Sequence, residues 1–295
     1  MKVFISGASG LVGGNCFQYF KEMKWDVVGT HFNYATPNTF YFNTLDLENE
    51  NNFQLKKFQP DVIVHCGALT HVDYCENHKE ESYEKTVIST KNLIKIAALI
   101  QAKLVYISTD YVFDGKDGPY KETDATNPLS VYAKHKLEAE QIVLNASEKH
   151  LVLRITNVYG DEYRNKNFVS RIIHQCIQRE KIILNLPYDQ YASPVNAYDV
   201  ARAMYQLLND NQGGVFHIAS TDYMNRVDLA LRVLQYFPDA DYQLSANDTN
   251  SLKQTAPRPL LAGLLKNKFS SLYPEFVFSN VDDYVSKVIE MRSKN

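Results

Sequence analysis

Near its start the chain reads VFISGASGLVG (residues 3–13), an apolar run followed by three glycines at intervals of three residues. The apolar run predicts a buried strand, and the pattern that follows it predicts a helix. Glycines allow a sharp turn between the two and let the backbone approach a pyrophosphate, which the N-terminus of the helix binds through its free N–H groups. We therefore expect a nicotinamide dinucleotide at this loop, bound by Gly7, Ser9, Gly10, Leu11, Val12 and Gly13.

Up to about residue 160, short apolar runs alternate with longer helical patterns, which predicts a doubly wound α/β domain with a parallel sheet. Its predicted strands are Lys2–Ser6, Asp26–Thr30, Thr39–Phe42, Asp61–Cys66, Lys103–Ser108 and His150–Ile155. Its predicted helices include Leu11–Met23, Ser82–Ile100 and Val131–Asn145.

Beyond residue 160 the pattern loosens. Three predicted helices there cover Asn167–Arg179, Ala197–Leu208 and Asn280–Arg292, and a strand is predicted at Gly214–Ile218. A fourth helix is predicted from a cap at Thr221 and Asp222 to about Phe237. We find no Gly/Ser-rich linker. We expect residues 1–160 with about 190–220 to form the NAD(P)-binding Rossmann domain, and about 161–189 with 221–295 to form a smaller, discontinuous substrate-binding part.

Composition excludes several classes of partner. The chain has 295 residues and a net charge of -3, which gives no electrostatic basis for binding nucleic acid or an anionic membrane. No apolar run approaches the roughly 20 residues of a membrane span, and we expect no signal peptide before the first strand. The four cysteines contain no C-x-x-C pair, so we expect reduced thiols and a cytoplasmic location.

The end of the second strand selects between the two nicotinamide cofactors. An acidic residue there would bind the adenosine ribose and favour NAD, but this chain has Thr30 and His31 and no acid. We therefore expect NADP(H) to be preferred over NAD(H), with Thr30 and His31 at the 2′-phosphate, although no arginine follows them. Asp46, beside Leu47 after the third strand, is expected to hydrogen-bond the adenine.

Tyr132 and Lys136 share one face of a predicted helix, because residues four apart are neighbours on a helix. A lysine ammonium beside a phenol lowers its pKa, and such a phenol can give a proton to a ketone oxygen as hydride reaches the carbon. Ser108 and Thr109 end a buried strand, at the edge where ligands bind in such sheets. The pattern predicts a reductase in which a hydroxyl aligns the substrate carbonyl.

These stretches resemble a known family. The spacing of the glycines is similar to that of extended short-chain dehydrogenases/reductases, and STDYVFDG (residues 108–115) resembles the signature of dTDP-4-dehydrorhamnose reductases. Further stretches resemble the same family: CGALTHVDYCE (66–76), LRITNVYG (153–160), DQYASP (189–194) and PRP (257–259).

The resemblance implies NAD(P)H-dependent reduction of a 4-keto group on a nucleotide-activated deoxysugar, as in dTDP-rhamnose biosynthesis. It implies that Thr109 is the catalytic hydroxyl, Tyr132 the proton donor and Lys136 the ribose-binding lysine. Residues implied to line the cofactor are Gly67, Ala68, Leu69 and Ser108, with Tyr132 and Lys136. Residues implied to face the sugar nucleotide are Thr70, Val72, Asp110, Tyr111, Asn157 and Arg258.

The chain departs from the family pattern at three places near the substrate. Asn157 stands where the family usually has Trp, Thr86 where Asn is usual, and Leu-Leu-Ala-Gly (residues 260–263) where a polar stretch follows the Arg-Pro motif. Because of these departures, the sequence does not identify the sugar or the nucleotide base of the substrate.

Two alternatives remain beside the dTDP-4-dehydrorhamnose reductase-like enzyme. One is a non-catalytic regulatory subunit resembling the methionine adenosyltransferase β subunit, which shares the fold. The other is a reductase or epimerase for a different sugar nucleotide. A homodimer is left open as well.

Histidines and cysteines also cluster between residues 65 and 78, where His71 and Cys75 have a spacing that can bind a metal. We expect no metal, because a closed set of four ligands is absent and a buried strand accounts for His65 and Cys66.

Overall fold

The computed structural model of the chain describes residues 1–293. Its centre is a parallel sheet of seven strands in the order β3-β2-β1-β4-β5-β6-β9, which confirms the doubly wound α/β class. The strands are β1 Lys2–Ser6, β2 Asp26–His31, β3 Thr39–Tyr41, β4 Val62–His65, β5 Lys103–Thr109, β6 Leu151–Ile155 and β9 Gly214–His217.

Apolar side chains on both faces of these strands explain why the sheet is buried between two helical layers. Val3 and Ile5 of β1 pack in one core cluster, and Phe4 between them packs in the cluster on the opposite face. Successive side chains of a strand point to opposite faces, so a nearly continuous apolar run covers both. The helices from this part of the chain are α1 Leu11–Glu22, α2 Leu55–Phe58, α3 Val72–Asn77, α4 Lys79–Tyr83, α5 Ser89–Ile100, α6 Val131–Ala146 and α8 Ala197–Asn209.

A further core cluster lies beyond β6. Its apolar residues come mainly from α7 Phe168–Ile177, β7 Ile182–Pro187, α9 Arg226–Leu234 and α11 Val281–Ser293. Around it lie β8 Tyr191–Ala192, which pairs with β10 Met224–Asn225, and β11 Tyr242–Asn247, which pairs with β7; α10 covers Asn267–Leu272. The division of the chain into a cofactor domain and a substrate-binding part stays a prediction.

Two predicted helices differ from the structure. The helix expected from Thr221 and Asp222 to Phe237 begins only at Arg226, because Asn225 caps it by accepting hydrogen bonds from the backbone N–H groups of Val227 and Asp228. The helix expected over Ser82–Ile100 is interrupted by a π-helical turn at Glu84–Ile88, which contains Thr86. Hydrophobic spacing alone does not reveal either feature.

No helix within the described residues is both long enough and apolar enough to cross a membrane.

Candidate functional site

A cavity of about 820 Å³ opens along the carboxyl ends of the central strands. Parallel strands bring their carboxyl ends to one edge, so the loops after β1, β4, β5 and β6 meet there. The expected site residues that line it are Gly7, Ser9, Gly10, Leu11, Val12, Gly13, His31, Gly67, Ala68, Leu69, Thr70, Val72, Ser108, Thr109, Asp110, Tyr111, Tyr132, Lys136 and Asn157.

The glycine loop is built for close backbone packing. Gly7 has a φ of +84°, a conformation that side chains rarely allow, and its carbonyl accepts a hydrogen bond from the N–H of Gly10 over 3.1 Å. A Cβ at Gly13 would lie 2.3 Å from the Gly7 oxygen, so only glycine lets α1 start this close to the turn. Gly10 caps α1 without a side-chain hydrogen bond, so no side chain occupies the first N–H groups at the cavity. The loop therefore fits the pyrophosphate of a dinucleotide.

The start of α6 fixes the position of Tyr132. The Ser130 hydroxyl caps the helix by accepting from the N–H of Ala133, and the N–H of Val131 donates to Glu76 over 3.0 Å. Tyr132 therefore lies in the first turn, with its ring at 6.2 Å from the ring of Tyr111.

Lys136 lies one turn further along α6. Its ammonium donates to the carbonyl of Ile107 on β5 and lies 4.1 Å from the centre of the Tyr106 ring. Burial lowers the pKa of Lys136 to about 7, although the Cys66 thiol and the Glu140 carboxylate oppose that shift. The lysine can therefore take up or release a proton near neutral pH.

The pKa of Tyr132 differs from the sequence expectation. We expected the lysine to lower it, but burial raises the pKa of this phenol, and the hydrogen bond with Thr109 only partly opposes the increase. The structure corrects this point because desolvation of the phenolate outweighs the neighbouring polar groups. Without a bound ligand, Tyr132 is a protonated phenol at neutral pH.

Asp110 is a buried carboxyl group beside the catalytic candidates. Its Oδ1 accepts a hydrogen bond from the Thr109 hydroxyl over 3.2 Å, and its Oδ2 accepts from the N–H of Gly263 over 3.4 Å. Burial raises the pKa of Asp110 to about 6, against the effect of the hydrogen bonds from Thr156, Gly263 and Thr109. The carboxyl group therefore changes charge within the range in which enzymes commonly work.

Arg226 was missed by sequence reasoning. It donates from Nη2 to Oδ1 of Asn157 over 2.6 Å, and burial lowers the pKa of its guanidinium. Asn157 has a φ of +42°, which Asn tolerates better than most residues. A helix that starts near residue 221 would place Arg226 in its interior. Recognising Asn225 as the N-cap would have placed Arg226 at the first position of the helix.

Four residues that were expected to contact the cofactor or the sugar nucleotide do not line the cavity. Thr30 is buried and its hydroxyl donates to the carbonyl of Ile5 over 3.0 Å, so it is not free to meet a phosphate. Leu47 packs into the apolar core, and Asp46 accepts from Asn49 over 3.0 Å. Arg258 is held by an ion pair to Asp73 at 2.9 Å. Each of these side chains has a contact elsewhere in this structure, and the roles expected of the four residues stay predictions.

Arg164 and Lys166 also line the cavity, and neither was predicted from the sequence to lie there. They lie in the loop between β6 and α7, and the Arg164 guanidinium is 5.1 Å from the centre of the Tyr34 ring. Tyr34 follows β2, about 130 residues earlier, so no local pattern could have paired them.

The histidine and cysteine cluster is spread over several local contacts. His65 is buried beside Ser89 at 3.3 Å, His71 accepts from the N–H of Tyr74, and His78 stacks on the ring of Tyr74. Cys75 is buried, with its sulfur 3.5 Å from the carbonyl of Leu69. Within residues 1–293 no three His, Cys, Asp or Glu residues are grouped so as to hold a metal.

The chain is similar to enzymes that act on sugar nucleotides and to one enzyme subunit. The description "RmlD substrate binding domain" matches residues 1–289. Methionine adenosyltransferase 2 subunit beta of Bos taurus is 36% identical over 241 residues, which are 80% of this chain and 72% of that protein. The dTDP-4-dehydrorhamnose reductase of Aggregatibacter actinomycetemcomitans is 32% identical over 242 residues, 79% of this chain and 78% of that protein.

A similar fold occurs in a solved structure of dTDP-4-dehydrorhamnose reductase from Bacillus anthracis, in complex with NADP. It is 25% identical, covers 98% of this chain and 99% of that one, and has a TM-score of 0.84. The likeness extends over the whole chain rather than over the glycine loop alone.

Proposed function

Because the chain belongs to the family of the RmlD substrate binding domain, we propose that it is an NAD(P)H-dependent reductase of a 4-keto-6-deoxy nucleotide sugar. The proposal follows the dTDP-4-dehydrorhamnose reductases to which the chain is similar. One observation carries it: Thr109, Tyr132 and Lys136 line the same cavity as the glycine loop. A dinucleotide and a ketone can therefore meet beside a proton donor.

The roles of these residues follow from their surroundings. A reduced nicotinamide dinucleotide held at the glycine loop would supply the hydride that reduces the keto carbon. Tyr132 gives its proton to the ketone oxygen, and its raised pKa keeps that proton in place until the alkoxide develops. The Thr109 hydroxyl aligns the carbonyl. Lys136 binds the ribose, and its ammonium can return a proton to the Tyr132 phenolate that the transfer leaves.

NADP(H) is the preferred cofactor in this proposal. The end of β2 has no acidic side chain that would repel a 2′-phosphate, and the neighbour from Bacillus anthracis was solved with NADP. The nucleotide sugar is the small-molecule partner, with Thr70, Val72, Asp110, Tyr111 and Asn157 toward the sugar. The proposal includes a cytoplasmic location and leaves a homodimer to be measured by light scattering.

A second candidate comes from a different class. The similarity to methionine adenosyltransferase 2 subunit beta favours a non-catalytic subunit that assembles with a methionine adenosyltransferase. Asn157 at the cavity, where the family usually has Trp, favours a third variant of the same chemistry, a reductase or epimerase for another sugar nucleotide.

One experiment separates these functions. NADPH oxidation is followed with a panel of 4-keto-6-deoxy nucleotide sugars, and the product stereochemistry is determined by NMR. Turnover that is absent from the Tyr132→Phe variant supports the reductase. No turnover with any member, together with stable co-purification with a methionine adenosyltransferase, would support the subunit instead.

A further inference from the structure

The loop between β6 and α7 crosses one end of the cavity and is held at both of its ends. At its start, the carbonyl of Asp161 accepts from the Asn15 side chain of α1 over 3.0 Å, and its carboxylate accepts from the Tyr284 hydroxyl over 2.9 Å. At its end, Asn167 caps α7 and donates to the carbonyl of Gly160 over 2.9 Å. The loop is therefore held beside the cavity at both ends, and residues between these ends line the cavity.

Arg164 projects from the middle of this loop against Tyr34, with its guanidinium 5.1 Å from the ring centre. Both residues line the cavity, together with His31 at the end of β2. The nearby Glu162 carboxylate is engaged with the backbone N–H and side chain of Asn167 at the start of α7. Within the described residues Arg164 forms no ion pair with a carboxylate. The other acid that lines the cavity, Asp110, accepts hydrogen bonds from Thr109 and Gly263.

In a fold of this kind the pyrophosphate lies at the glycine loop and the adenosine ribose lies at the end of β2. A 2′-phosphate on that ribose needs a cation, and the sequence following β2 supplies none before Lys56. The guanidinium of an arginine can bind two phosphate oxygens at once, and that of Arg164 lies over the Tyr34 ring. Two cations of the loop, Arg164 and Lys166, line the cavity, and Arg164 is the one that contacts Tyr34 just beyond the end of β2.

We propose that Arg164 is the residue that determines preference for NADP(H), by binding the adenosine 2′-phosphate from across the cleft. This inference rests on the proposed dinucleotide binding and adds the residue that discriminates between the two cofactors. The 2′-phosphate is recognised by the C-terminal half of the chain, so binding of NADP(H) also fixes the loop that leads from the sheet into α7.

The test measures dissociation constants of the full chain for NADPH and NADH by calorimetry, and for 2′,5′-ADP and 5′-AMP as fragments. Arg164→Ala is expected to weaken NADPH and 2′,5′-ADP by roughly tenfold or more, while NADH and 5′-AMP stay unchanged. Arg164→Lys keeps the charge without the fork and is expected to give an intermediate loss. The preference for NADPH should also decrease as salt is added, because Arg164 is exposed.

Lys21→Ala is the matched control, since Lys21 is an exposed cation placed over the Phe17 ring at 5.9 Å, outside the cavity. It removes the same charge and should leave all four constants unchanged. Equal weakening of NADPH and NADH by Arg164→Ala would overturn the inference, because it would place Arg164 at the adenine. An unchanged ratio would overturn it as well. Failure of the wild-type chain to bind either dinucleotide would instead overturn the proposed function.

Discussion

Arg226 donates a hydrogen bond of 2.6 Å to the side chain of Asn157, the residue for which the resemblance to dTDP-4-dehydrorhamnose reductases leads us to expect a tryptophan. Asn157 lines the cavity, whereas Arg226 lies behind it at the start of α9. The cavity wall at Asn157 therefore offers an amide whose orientation is fixed by a cation.

Asn157→Ala is expected to raise the KM for the nucleotide sugar roughly tenfold, because it removes a lining amide and leaves Arg226 without that acceptor. The dissociation constant for NADPH should not change. Steady-state kinetics and calorimetry check the two parts. Asn211→Ala is the control, since Asn211 also has a positive φ, +51°, in a turn outside the cavity. A similar KM change in both variants would contradict the assignment.

Tyr132→Phe is expected to reduce kcat by about 10²–10⁴-fold, the range for loss of a positioned proton donor. Binding of NADPH should remain, because the ring and α6 are retained. Stopped-flow measurement of NADPH oxidation gives the rate, and fluorescence titration gives the affinity. Tyr242→Phe, on exposed β11, removes a hydroxyl of the same kind and should leave both values unchanged. Retained turnover in Tyr132→Phe would refute the role of the phenol.

Gly13→Ala should weaken NADPH binding by roughly tenfold or more and destabilise the chain, because its Cβ would meet the Gly7 oxygen at 2.3 Å. Gly14→Ala is the neighbouring control, since its Cβ would lie 3.2 Å from the Ala8 oxygen and needs only a small adjustment. Calorimetric titration and thermal unfolding are the measurements. The prediction fails when the two variants lose affinity to the same extent.

Glu140→Gln is expected to reduce the free energy of unfolding by about 3–5 kcal/mol, the range for breaking a buried ion pair. Glu140 accepts from Arg154 through Nε and Nη2 and from the Ser108 hydroxyl, and both charged groups are buried. Glu138→Gln breaks an exposed pair with Lys91 at 3.7 Å and should cost about 0–1 kcal/mol. Urea unfolding compares the two, and equal losses would show that Arg154 is not left unpaired.

Asp110→Asn is expected to stabilise the chain more at pH 7 than at pH 4. The folded pKa of Asp110 is about 6, above its ordinary value of 3.8, so the folded state holds the proton more tightly than the unfolded state does. Wild-type stability from this group therefore decreases as pH rises from about 4 to about 6, by at most about 3 kcal/mol. Urea unfolding at several pH values gives the difference between the two proteins, and a difference that stays constant would contradict the shift.

The sheet, the glycine loop and the Tyr132–Lys136 pair could be predicted from the sequence because the information for each is local. Alternating apolar runs specify parallel strands, and a spacing of four residues places two side chains on one helix face. The ends of parallel strands then converge without further information, so Thr109 and Gly67 reach the same cavity as Gly7.

Only the tertiary structure decided which side chains remain free and which cations arrive from far along the chain. Thr30 and Arg258 looked available, but Ile5 and Asp73 engage them. Arg164 meets Tyr34, and Arg226 meets Asn157, across long stretches of chain. Such pairs depend on how α7 and α9 pack against the sheet, and the spacing of residues within one element contains no record of that packing. The sequence by itself therefore determined which side chains meet at the centre of the cavity, and the packing determined which contacts form at its two ends.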